Sequence, residues 1–139
     1  MTPDANKGVM IRFTEFINTA SETLAAELIS PDAIFHVPGR SEPMRGPAGY
    51  LAIIQMMRGG FPDIQWTLEE MVAEGDKVAA RFTMRGTHLG TFFDVPSTGK
   101  KIAVKGVSIL TIHEGRIVRG LYVWDVAGML RDLGLLPDL

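Results

Sequence analysis

"KVAARFTMRGTH", residues 77–88, decides the fold. Val78, Ala80, Phe82, Met84, Gly86 and His88 fall on one side of an extended chain, and Ala79, Arg81, Thr83, Arg85 and Thr87 on the other, because successive side chains of a strand point to opposite faces. The first set is apolar up to its last member. With the tight-turn sequence "EGD" just before it, at 74–76, this period of two predicts an antiparallel strand with one face against a core. His88 is then the polar end of an apolar stripe.

Further extended runs lie at 64–73, 101–112 and 116–125. The turn "HEG" (113–115) joins the last two, and the longer "LGTFFDVPSTGK" (89–100) joins the middle pair. The first half has another rhythm. Met10, Phe13, Phe16, Ile17, Leu24 and Leu28 approximate helical spacing, with a break near 19–21, so residues 9–29 read as one helix or a bent pair. A short strand at 33–37 is framed by Pro31 and Pro38, and "AGYLAIIQMMRGG" (48–60) reads as a helix ending at paired glycines. Helices first and antiparallel strands after predict one α+β domain over 1–139, with helices covering one face of a curved sheet.

Composition narrows the function. The 139 residues are 46% apolar and 22% charged, carry a net charge of −2 and include no cysteine. No apolar run approaches the roughly 20 residues of a membrane span, and the basic patch of a nucleic-acid binder is missing. The start "MTPDANKGVM" lacks the pattern of a secretory signal. A cytoplasmic protein with a small apolar partner is the expectation, with neither membrane nor nucleic acid involved. There is no GxGxxG or GxxxxGK[ST] motif, and "GVS" at 106–108 lies inside a strand, away from any nucleophile elbow. The three histidines, at 36, 88 and 113, form no close ligand pair, so no metal is expected.

The candidate chemistry is concentrated in "LYVWDVAGMLRDLG" (121–134). Asp125 follows an apolar run and precedes a short helical pattern, the position of a helix N-cap. The same apolar bulk favours a raised pKa and a role as proton acceptor. Counting by twos puts Ile117, Arg119, Leu121, Val123 and Asp125 on one face and Val118, Gly120, Tyr122 and Trp124 on the other. Both faces are apolar near the end, so alternation leaves cap and base open. His36 and His88 lie at strand ends, where pocket mouths are built. Phe16, Phe35, Met57, Trp66, Phe82, Met84, Leu121 and Val123 are the residues expected to line an apolar pocket.

"FPDIQWTLEEMVAEGDKVAARFTMRGTHLGTF", then "PSTGKKI", "GVSILTIHEGRIV" and "WDVAGMLRDLG" together resemble the SnoaL-like polyketide cyclases, also called ester cyclases. The resemblance covers 61–136 well and 11–60 more loosely. It implies the cone-shaped α+β barrel of the nuclear transport factor 2 superfamily around a deep apolar pocket. It also implies cofactor-free ring closure by intramolecular aldol condensation, with the aspartate of D-x-x-G-x-L-x-x-L-G, here Asp125, as base. His36 and His88 match histidines common in the family, and sheets of this kind often pair, so a homodimer through the outer sheet face is expected. This chain departs from the family in one place, with Arg119, Gly120 and Leu121 where a Glu-His-Trp-like run is usual. The alternatives are a non-catalytic binder of a small apolar molecule and a related isomerase or epoxide hydrolase.

Overall fold

The computed structural model describes residues 2–137. Helix α1 (Pro3–Thr19) starts under the Thr2 side chain and stops where Ala20 turns left-handed, and α2 (Glu22–Leu28) restarts under Ser21. The expected bent pair is therefore two capped helices. β1 (Ile29–His36), β2 (Met44–Arg45) and α3 (Gly46–Gly60) follow, then β3 (Gln65–Glu74), β4 (Lys77–Thr87), β5 (Lys101–His113), β6 (Arg116–Trp124) and α4 (Val126–Asp132).

The six strands make one curved sheet in the order β2-β1-β6-β5-β4-β3. The sheet is mostly antiparallel, but β1 runs parallel to β6. It stays open, because β2 and β3 are edges that do not meet. The two-residue β2 and the parallel pairing carry no local sequence signal.

The inner face is filled in rows. Leu68, Phe82, Gly106 and Trp124 follow the strand register across one row, and Met71, Ala80, Ser108 and Tyr122 across the next. In the row beyond, Phe35 of β1 pairs with Gly120. Large rings face small residues, which is how a curved sheet reaches interior packing density. A Cβ on Gly106 would come within 2.4 Å of the Phe82 ring, and one on Gly120 within 2.6 Å of Phe35. Phe13, Phe16, Phe35 and Tyr50 close the core between α1, α3 and β1, with Tyr50 edge-on to Phe35 at 4.9 Å and to Phe13 at 5.0 Å.

One register shift changes the last strand. Thr111 pairs with Arg119 and Ile112 with Ile117, so Val118 is an extra residue in β6. This bulge reverses the alternation. Ile117 is fully buried with Gly120 and Tyr122, whereas Leu121 and Val123 are 46% and 64% exposed. The expectation that Leu121 and Val123 face the pocket is thereby corrected: both lie on the outer face, with Arg119.

Candidate functional site

Among the described residues two apolar cavities border the inner rows of the sheet, while three open clefts of about 460–500 Å³ carry charged residues in their walls. The inner one lies between α1 and the sheet, walled by Met10, Phe13, Trp66, Phe82, Ser108 and Tyr122, with a volume of about 10 Å³. That is room for about one water-sized group. Its long wall is fixed by Asn18, whose side-chain oxygen accepts from the Trp66 amide at 2.7 Å while its amide donates to the Trp66 carbonyl at 3.0 Å. Trp66 stacks on Phe82 with centroids 4.1 Å apart. The Tyr122 hydroxyl is buried without a hydrogen-bond partner among the described residues, and burial beside Tyr50 holds its pKa well above the usual phenol value. It stays protonated across the physiological range and can donate only a hydrogen bond.

The outer cleft, about 140 Å³, is formed by the 89–100 loop, α4 and the turn after β1. Phe92, Phe93, Trp124, Val126, Met129 and Leu133 supply most of its wall. The loop carrying the two phenylalanines is seated by glycines: the amides of Leu89 and Gly90 both donate to the Gly60 carbonyl, and a Cβ on Gly90 would meet the Gly59 carbonyl oxygen at 2.0 Å. At its tip the backbone of Phe92 and Val95 exchanges two hydrogen bonds. The intervening Phe93 and Asp94 have φ of 45° and 62°. A two-residue turn with both central residues left-handed normally takes Asn-Gly; a bulky Phe there costs about 1–2 kcal/mol. The strained Phe93 is nevertheless 56% exposed and lines the cleft.

His88 is fully buried, as its place at the end of the inner stripe requires. Its Nδ1 accepts from the Thr98 amide at 3.2 Å and lies 2.9 Å from the Thr98 hydroxyl. An amide must donate, so the ring proton sits on Nε2, which has no partner among the described residues. The ring packs on Phe61 at 5.3 Å, and Phe61 packs on Phe92. His88 thus ties the start of the 89–100 loop to its end. It borders neither cavity.

Asp125 caps α4: its carboxylate accepts from the Gly128 amide at 2.8 Å. It is exposed and borders neither cavity itself, but its two chain neighbours, Trp124 and Val126, both line the outer cleft. His36 is half-buried and pairs in register with Leu121 on the outward side of β1. No hydrogen bond joins Asp125, His36 or His88 to one another among the described residues. Of the eight expected lining residues, Trp66 and Phe82 line the inner cavity. Phe16, Phe35, Met57 and Met84 are packed into the closed core, which corrects their assignment to the pocket. Their size and apolarity suit a core as well as a cavity wall. Ser108, Tyr122, Phe93 and Trp124 were missed.

Residues 7–133 match the family pattern described as SnoaL-like polyketide cyclase. The chain belongs to this family. Among relatives of this SnoaL-like protein, the aklanonic acid methyl ester cyclase DnrD of Streptomyces peucetius is 29% identical over 131 residues, covering 88% of this chain and 86% of that one. DauD of Streptomyces sp. (strain C5), named for the same reaction, is also 29% identical over 131 residues, covering 88% and 78%. Among solved structures, TsrD of Streptomyces laurentii superposes with a TM-score of 0.85 at 26% identity, over 98% of this chain and 99% of that one. Wild-type IdmH of Streptomyces antibioticus gives 0.84 at 32%, over 93% and 98%. At 119–121, Arg119 and Leu121 point outward, and the space above Gly120 is occupied by the Phe35 and Tyr122 rings.

Proposed function

We propose that this chain closes a ring in a neutral polyketide-type ester by intramolecular aldol addition, with Asp125 as the base at the rim of the outer cleft. The observation that carries the reading is the position of Asp125 between Trp124 and Val126, two walls of that cleft. Membership of a cyclase family and the reaction named for DnrD and DauD support the reaction class. One carboxylate oxygen is held by the Gly128 amide, which orients the group. The carboxylate takes a proton from a carbon beside a carbonyl, the enolate carbon attacks a second carbonyl of the same molecule, and the resulting alkoxide takes the proton back. One carbon–carbon bond forms, no atom leaves, and no cofactor is needed. A positioned base contributes roughly 10²–10⁴-fold. His88 acts as a positioning residue for the loop that carries Phe92 and Phe93, and His36 takes no part.

Aklanonic acid methyl ester is the first compound to offer, with product followed by chromatography because aldol addition leaves the mass unchanged. Asn caps a helix as well as Asp, so Asp125→Asn removes the base and keeps the fold. Loss of turnover in Asp125→Asn at unchanged stability is the expected result; full turnover eliminates the base.

A second reading, a binder of a small apolar molecule, is favoured by the capping bond and exposure of Asp125. Saturable binding without product from the wild-type chain selects it. β3 and β4 carry polar pairs such as Arg81–Glu70 at 2.8 Å, whereas β5 and β6 pair Val107 with Val123 and Ile109 with Leu121, all exposed. This apolar strip is the surface through which two copies pair in our reading, and sedimentation of Val123→Glu, expected as monomer, tests it.

A further inference from the structure

We infer that the outer cleft is a binding site for a single flat, uncharged ring of the ligand, with Phe93 as the residue that determines it. The inference rests on the proposed cyclase reading only for its placement of the reacting carbons; the binding site itself stands on geometry.

Size comes first. An engineered apolar cavity of about 150 Å³ takes benzene, and this cleft has about 140 Å³. One six-membered ring fills it and a fused pair exceeds it. Chemistry comes second. The side chains on its wall are all apolar, from Pro38 through Phe92, Phe93 and Trp124 to Leu133. Nothing there compensates a charge removed from water, so an ionised ring substituent is rejected. Third is the turn at the tip. Phe93 and Asp94 hold two successive left-handed conformations that Gly and Asn would adopt without strain, and the residue so held is an exposed ring on the cleft wall. A strained backbone that presents an aromatic side chain to a cavity is the pattern expected of a ligand clamp. Finally, the inner cavity cannot compete, because it admits about one water-sized group. A larger polycyclic ligand therefore enters by one terminal ring, and its remaining carbons lie outside the cleft, on the side where Asp125 is exposed.

The chain contains two tryptophans, one on the wall of each cavity: Trp124 in the outer cleft and Trp66 in the inner cavity. Their indole N–H resonances separate the sites. Toluene, benzoate and naphthalene are titrated into the full chain with both resonances followed. The expected result is saturable movement of the Trp124 signal by toluene, and by naphthalene entering through one ring, with Trp66 still in both, and roughly tenfold weaker binding of benzoate. Phe93→Gly and Phe93→Ala both lose roughly tenfold in toluene affinity, while only Phe93→Gly, freed of the left-handed penalty, gains thermal stability. No saturable shift up to the solubility of toluene, movement of Trp66 instead, or undiminished affinity in both Phe93 variants overturns the inference. Turnover is not needed for this readout, so a site that binds toluene in a chain that cyclises nothing leaves the inference standing and removes the cyclase reading.

Discussion

The inner rows of the sheet and the rim of the outer cleft are built on opposite terms. Inside, three rings sit against two glycines: Phe82 over Gly106, and Phe35 and Tyr122 over Gly120. At the rim, Phe93 is held in a disfavoured conformation and left exposed, and a carboxylate stands between two wall residues. The first region is optimised for density, whereas in the second a strained residue stays more than half exposed with its ring on Phe92 at 4.5 Å. The ligand handling we propose for this member of the polyketide cyclase family lies at the rim, beside α4 and the 89–100 loop, with the filled interior as its support.

The contrast can be broken at the support. Gly106→Ala places a methyl group 2.4 Å from the Phe82 ring and 2.9 Å from the Val123 carbonyl. It is expected to cost about 1–3 kcal/mol, measured by denaturant unfolding, whereas Gly59→Ala, with open space around its Cβ, stays within about 1 kcal/mol as an exposed helix change. Equal costs would mean that the interior is not tightly filled. At the rim, Asp125→Ala is expected to lose about 0.5–2 kcal/mol through the missing cap, with Asp125→Asn close to wild type. Phe93→Gly is expected to gain about 1 kcal/mol; a loss there would remove the strain from the account.

The smallest effect concerns the tether between the two regions. Asp63 accepts from the amide and hydroxyl of Thr87, each at 2.7 Å, and these bonds hold its carboxyl below the ordinary 3.8. A depressed folded pKa contributes stability that is present above the unfolded value and lost as pH falls through the folded one. Acid titration of unfolding should therefore steepen below about pH 4 in the wild type, and less so in Asp63→Asn.

How much was legible follows the same division. β4 and β5 were readable because a period of two persists over their length, and it placed His88, Phe82 and the inner stripe correctly. β6 was not, because the extra residue Val118 reverses the alternation, and a bulge of one apolar residue among others leaves no mark in the sequence. That single shift moved Leu121 and Val123 to the outer face. The family resemblance identified the chain and its α+β sheet, yet Phe16, Phe35, Met57 and Met84 could not be told from pocket residues, since cavity wall and core demand the same side chains. The turn at Phe93–Asp94 was illegible for the opposite reason: its residue types contradict its conformation.

The most direct measurement is turnover of a polyketide-type ester by Asp125→Asn beside the wild type, with thermal unfolding of both. Unfolding is expected to be unchanged, because the Asn side chain still accepts from the Gly128 amide, and turnover to fall by roughly 10²–10⁴-fold. An Asp125→Asn chain that unfolds like the wild type and closes the ring at the wild-type rate would contradict it and leave Asp125 as a helix cap alone.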